Sequence, residues 1–260
     1  MQGLTVGAAA VFGLLVGSFL NVVIWRVPRG ESVVRPPSHC PTCDARIAAR
    51  DNVPVFSWLA LHGRCRACRA RISARYPIVE ACTAALFAAL AVRFGPHLSL
   101  VAYLYLGAVG LALALIDLDV RRLPNALTLP SYVVGAVLLA AVAAVDDAPF
   151  SLVRAFVGMA AMYCFYFALV MVKPGAMGWG DVKLSGVLGL YLGFLGWAEL
   201  VVGAFAAFLL GGLVGIGLLL SGSGGRKTKI PFGPYMVVGA LVAVFAGRSI
   251  AHWYLGLTFG

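Results

Sequence analysis

LSLVAYLYLGAVGLALALIDLDVRRLPN, residues 98–125, opens with nineteen residues that carry no charge and closes on two acids and two arginines. Nineteen helical residues rise about 29 Å, close to the roughly 30 Å hydrocarbon core of a bilayer. The run reads as a transmembrane helix whose end carries Asp117 and Asp119. Outward from it the pattern repeats. Of 260 residues, 62% are hydrophobic and 12% charged, about half the charge of a soluble domain. This composition excludes a soluble globular domain and points to an all-α polytopic membrane protein.

Apolar runs place eight spans at about 4–24, 77–95, 98–118, 126–145, 151–172, 182–197, 199–220 and 232–250. Residues 1–16 lack the basic n-region and small-residue cleavage site of a removable signal, so the first run is expected to remain as a span. Ten of the twenty basic residues, all arginine, fall between Arg26 and Arg75. Basic residues beside a span mark the cytoplasmic side, and an even number of spans then puts both termini outside. The basic residues Arg121, Arg122, Lys173, Lys183, and 226–229 fall in loops assigned to the cytoplasmic face. Arg93, Arg154 and Arg248 lie near outer ends and run against the scheme. The arginines are read as topology signals and contacts for anionic lipid, with no nucleic-acid partner. Three segments follow: a first span over 1–25, a cytoplasmic loop over 26–76 and a helical bundle over 77–260. The chain shows no internal repeat at this level, and 221–225 reads as a flexible Gly/Ser link.

The cytoplasmic loop carries CPTC (Cys40, Cys43) and CRAC (Cys65, Cys68), with 21 residues between the pairs. Two Cys-x-x-Cys knuckles supply four thiolates to one tetrahedral metal, and zinc is the expected ion. A reducing compartment argues against disulfides. A closed four-thiolate site has no open position for catalysis, so a zinc-ribbon-like staple is expected. Cys82 and Cys164 fall within spans as ordinary small residues.

Of the ten acids, Glu80, Asp117, Asp119, Asp181 and Glu199 fall in or beside spans. Charge at membrane depth is costly and marks function or a partner. Asp181 sits in GAMGWGDVKL (175–184), with Gly178 and Gly180 beside it. The topology puts Asp117 and Asp181 at the same ends of their helices. Asp117 and Asp119, two apart, do not share a helix face. Two neighbouring carboxylates share a proton, so that one draws a proton from water while the other polarises a carbonyl. Bare glycine backbone beside them lets an extended substrate approach. The residues alone leave other uses open: helix capping or interfacial anchoring, a proton-coupled transporter, or a non-catalytic scaffold built on a zinc loop.

The ordered set GSFLNVVIWRVP (17–28), CPTC with CRAC, ARYPIVE (74–80), LIDLDVRRLPN (115–125), GWGDVK (178–183) and IPFGPY (230–235) resembles the type IV prepilin leader peptidases, the bacterial Gly-x-Gly-Asp aspartyl proteases. The resemblance spans nearly the whole chain. It implies an inner-membrane enzyme that cleaves leaders from prepilins or secretion pseudopilins at the cytoplasmic face. It also implies N-methylation of the new terminus with S-adenosylmethionine, associated with the N-terminal region and cysteine loop. Carried over, Asp117 and Asp181 are the catalytic pair, with Asp119 competing for the first role. Gly178 and Gly180 form the backbone opening. The donor site stays unassigned, with Glu80 as one contact to consider. Because prepilin leaders are themselves basic, the loop arginines are not expected to attract them by charge.

Overall fold

Apolar runs of this length satisfy their backbone in lipid only as helices, and the computed structural model is helical almost throughout. It describes residues 2–173, 175, 177–222 and 230–259. Among these the only extended pairings are two isolated bridges in the cysteine loop. The helices are α1 (Gln2–Arg26), a short α2 (Phe56–Ala60), α3 (Arg75–Phe94), α4 (Leu98–Val120), α5 (Asn125–Val145), α6 (Pro149–Val172), α7 (Trp179–Leu195), α8 (Trp197–Leu220) and α9 (Gly233–Phe259). Each of the eight expected spans has its helix.

Seven of the long helices have the length and apolarity to cross a membrane. The exception, α7, has 17 residues, about 25 Å of helix. The break expected between 197 and 199 falls earlier, at Gly196, and α9 runs past the expected end at 250. The basic stretch 226–229 and residues 223–225 of the Gly/Ser link lie outside the described residues.

The chain divides into two compact units, Met1–Leu100 and Val101–Gly260. In the first, α1 packs on α3 through Gly13 and Gly17. A Cβ at Gly13 would lie 2.7 Å from the Ala84 Cα, and one at Gly17 would lie 2.7 Å from the Glu80 Cα. Glycines four apart let two helix backbones touch, which in lipid replaces the hydrophobic drive that helix pairs have in water.

The second unit is built around α7. Every residue from Leu184 to Gly193 on it is buried, and α5, α6, α8 and α9 all pack on it. Its Gly189 and Gly193 meet Gly158 of α6: Cβ atoms there would come within 2.5 Å of the Gly158 carbonyl oxygen and 2.8 Å of the Arg154 carbonyl oxygen. A helix walled in this way needs no lipid-facing stripe, which is why it can be short and carry so many glycines.

Two arginines that run against the topology scheme have internal partners. Arg154 donates from Nε to the Gly193 carbonyl at 2.7 Å and from a terminal nitrogen to those of Phe194 (2.7 Å) and Leu195 (3.2 Å). It thereby covers the orphan carbonyls at the end of α7. Arg248 lies 3.7 Å from the buried Glu199. These two charges answer to helix ends and a buried acid, so they carry little topological information.

Candidate active site and metal centre

Asp117 occupies the last turn of α4, which stops at Val120 before Arg121 (φ 52°). Its side chain is buried at 5% exposure and accepts a hydrogen bond from the Gly233 N–H at 3.0 Å. Gly233 opens α9, whose first amides have no partner within their own helix. A Cβ at Gly233 would lie 2.8 Å from the Asp117 carboxylate oxygen, so glycine is what lets this amide reach the acid. Asp119, two residues on, is exposed.

Asp181 lies in the first turn of α7 at 8% exposure. Its carboxylate accepts the Gly178 N–H at 3.0 Å. Three contacts hold this end of α7. The Tyr132 hydroxyl donates to the Lys183 carbonyl at 2.6 Å. The Lys183 ammonium donates to the Asn125 side chain at 2.9 Å. The third is Gly180, where a Cβ would lie 2.8 Å from the Leu123 Cβ. Gly178 itself is exposed. Because Leu123 and Asn125 follow Asp117 in sequence, the same contacts bring the two acidic motifs to one end of the bundle.

Asp117 and Asp181 are within electrostatic reach of one another, and among the described residues neither is paired with a cation. A helix cap contributes about 1 kcal/mol, whereas burying an uncompensated charge costs several. Capping therefore explains the direction in which Asp181 points but not its burial within electrostatic reach of a second acid. Two adjacent carboxyls can be buried without a cation when they hold one proton between them. That is also the state that suits proton transfer to and from a reacting group.

The loop of the first unit brings Cys40, Cys43, Cys65 and Cys68 together, with all four sulfurs within 4.8 Å of one another. The Cys40 and Cys68 sulfurs are 3.8 Å apart. A tetrahedral ion with metal–sulfur bonds of about 2.3 Å sets its sulfurs about 3.8 Å from each other, so the thiols fit a metal. Backbone N–H groups of Thr42 and Cys43 pull the Cys40 thiol down to about 6. At Cys43 the Ala45 N–H pulls downward, but the Cys68 thiol, burial and the Cys40 thiol outweigh it and push the group up to about 12. Thiols crowded in this way do not all ionise by themselves. A dication between them supplies the charge that makes four thiolates compatible.

The two knuckles repeat one conformation, contrary to the expectation of no internal repeat. Cys40 N–H donates to the Ala45 carbonyl and Asp44 N–H to that of Cys40; Cys65 N–H donates to the Ala70 carbonyl and Arg69 N–H to that of Cys65. Asp44 (φ 58°) and Arg69 (φ 61°) are both left-handed, and the bridges His39–Arg46 and Arg64–Arg71 match. The signal was present as CPTCDARI against CRACRARI, a shared C-x-x-C-x-A-R-I. Asp51 ties the connection to the second knuckle by a forked pair with Arg66, at 2.7 to 3.0 Å. The guanidinium holds the Asp51 carboxyl below its usual range. This support is present above the ordinary carboxylate pKa and is lost as acid protonates Asp51.

Glu80 belongs to neither centre. It is buried on α3 and accepts the Val55 N–H at 2.7 Å, holding a residue with φ of 61°. It anchors the loop to the helix pair. Gly233, whose amide holds Asp117, is not singled out for that role by sequence; IPFGPY (230–235) contains it but gives no sign that its amide binds Asp117.

Residues 11–94 match the Bacterial Peptidase A24 N-terminal domain, and residues 104–216 match the Type IV leader peptidase family. A prepilin leader peptidase/N-methyltransferase of Aeromonas hydrophila is 39% identical, with 94% of this chain and 92% of the relative covered. Proteins of the same name from Pseudomonas aeruginosa (35% identical; 94% and 91% covered) and Bacillus subtilis (31%; 96% and 98%) are similar end to end. No solved structure is significantly similar. With both family regions present in order, and with relatives that match over almost their whole length, this multi-pass inner-membrane protein belongs to the type IV leader peptidase family.

Proposed function

We propose that this chain cleaves the leader from prepilins or secretion pseudopilins and N-methylates the residue thereby exposed, with Asp117 and Asp181 as the catalytic pair. The observation that carries the reading is that two buried acids from separate motifs lie at one end of the bundle within electrostatic reach of one another, each held by a glycine amide. The ionised member takes a proton from water as the water oxygen adds to the scissile carbonyl carbon. The protonated member gives its proton to the carbonyl oxygen. Collapse of the tetrahedral species breaks the C–N bond, and the departing amine takes up a proton. The burial of Asp117 and the exposure of Asp119 favour Asp117 for the first role. Exposed Gly178 offers bare backbone for an extended substrate beside Asp181, and Gly180 secures that turn against Leu123. A proton-coupled transporter or a scaffold gives no reason for the family match.

Zinc is the ion we assign to Cys40, Cys43, Cys65 and Cys68, since four thiolates in two knuckles suit its tetrahedral preference. The segments follow the chain: 1–25 a first span, 26–76 the loop associated with methylation, 77–260 the peptidase bundle. The methyl donor is S-adenosylmethionine by the relatives' second activity. The clustered arginines support our reading that the loop and the acid pair face the cytoplasm, with both termini outside and the arginines against anionic lipid.

Mass spectrometry of a pilin-like peptide incubated with the purified protein, with and without S-adenosylmethionine, tests both activities. The expected products are a peptide cut after its leader and, with the donor, the same peptide 14 Da heavier by roughly one methyl group. An uncut peptide overturns the reading. Within this site, Gly233→Ala is expected to lower the cleavage rate about 10- to 100-fold, because the new methyl displaces the Asp117 carboxylate and the amide bond to it. The kcat of that variant checks it.

A further inference from the structure

α6 and α7 pack by a matched series of four-residue steps. On α6 the series is Gly158, Met162 and Tyr166; on α7, running the other way, it is Gly189, Ser185 and Asp181. Gly158 touches Gly189, Met162 also touches Gly189, and the Ser185 hydroxyl donates to the Met162 carbonyl at 3.3 Å. One further step brings Tyr166 to the level of Asp181, and its hydroxyl is within electrostatic reach of that carboxylate.

Tyr166 is fully buried, and its hydroxyl has no hydrogen-bond partner among the described residues. The ring is wedged among Phe165 (5.6 Å between centroids), Phe208 (5.4 Å) and Phe232 (6.3 Å). Phe232 immediately precedes Gly233, the amide donor to Asp117. Tyr166 therefore stands between α7, which carries Asp181, and the start of α9, whose amide holds Asp117, and aromatic packing fixes its ring. A phenol is a strong donor that rarely stays buried without a partner. Packing alone gives no reason for the oxygen, because phenylalanine would fill the same aromatic cluster.

We propose that the Tyr166 hydroxyl donates a hydrogen bond to the oxygen that develops on the scissile carbonyl when water adds at the Asp117–Asp181 pair. The inference rests on the peptidase reading of that pair. As the water oxygen bonds to carbon, the carbonyl π electrons move to oxygen; the protonated acid transfers its proton there, and Tyr166 stabilises the growing charge while keeping its own proton. A donor fixed before the reaction acts without reorganisation as the charge develops.

A second buried hydroxyl makes the internal comparison. Tyr191 is also fully buried, and its hydroxyl likewise has no partner among the described residues. It lies ten residues beyond Asp181 on α7, against Gly135. Steady-state cleavage of a prepilin peptide is measured for Tyr166→Phe, Tyr191→Phe, Asp181→Asn and the unaltered protein, with thermal unfolding in detergent recorded for each. Tyr166→Phe is expected to lose about 10²-fold in kcat, as other oxyanion donors do. Its KM and unfolding temperature should hold, and Tyr191→Phe should retain full kcat. Unchanged kcat in Tyr166→Phe overturns the proposal, as does a raised KM with kcat retained, or an equal loss in Tyr191→Phe. If those results come with an inactive Asp181→Asn, the acid pair stands and only the role of Tyr166 falls. If Asp181→Asn cleaves normally, the peptidase reading falls and takes this one with it.

Discussion

Asp117→Asn and Asp181→Asn each remove peptide cleavage, with an expected loss of about 10³-fold or more in kcat, while the protein stays folded. Asparagine keeps the shape and can still accept the Gly233 or Gly178 amide. It cannot take a proton from water or give one to a carbonyl oxygen. General acid and base roles are each worth about 10²- to 10⁴-fold, and neither side of an acid pair works without the other. Asp119→Asn, on an exposed side chain, is expected to stay within about twofold of the parent, as surface substitutions usually do. Methylation of an already cleaved pilin peptide, the activity we place with the cysteine loop, should survive both active-site changes. Side-by-side assays of the three variants check this, and full cleavage by Asp181→Asn would remove the pair from the mechanism.

Serine in place of Cys40, Cys43, Cys65 or Cys68 has the second large effect. The loop has almost no apolar interior of its own: of residues 30–74, only Cys40, Pro54 and Gly63 are buried. On the zinc assignment proposed above, the metal is its main source of order, and in small zinc modules metal binding is the folding free energy, about 10 kcal/mol or more. Each single Cys→Ser protein is expected to fall from one zinc per chain to a small fraction of that, and to become sensitive to proteolysis between Arg26 and Arg75. Acid should release the metal from the parent protein, because protons compete for the thiolates. Metal analysis by mass spectrometry and limited proteolysis of the same samples decide it. A metal-free parent with a protease-resistant loop would show that the thiols order the loop by themselves.

Helix number and fold class were legible because lipid imposes a rule that sequence cannot hide: a run of about twenty apolar residues has one stable conformation there. The four cysteines were legible because a metal ligand set recurs at short spacing. The depth of the acids was not. Asp117 and Asp119 differ in sequence by two positions and in the structure by burial, and only the approach of α9 through Gly233 makes that distinction. The partners of Arg154 and Arg248 were hidden for a related reason. Their partners are carbonyls at the end of α7 and the buried Glu199, and such tertiary contacts have no periodic signature. Tyr166 was silent too, since an aromatic within an apolar helix looks the same whether its hydroxyl is used or not.

The walling-in of α7 by four other helices determines where water can come from. Hydrolysis consumes one water per cut, and water is scarce in hydrocarbon. With every residue from Leu184 to Gly193 covered, nothing opens onto the middle of this helix. Asp181 instead sits on its first turn, next to exposed Gly178 and Trp179. On the proposed reading of Asp181 as a catalytic acid, water reaches it through this first turn, and no opening onto the middle of α7 is needed. A substrate with a long apolar helix can leave that helix lying intact in lipid and present only the junction to be cut.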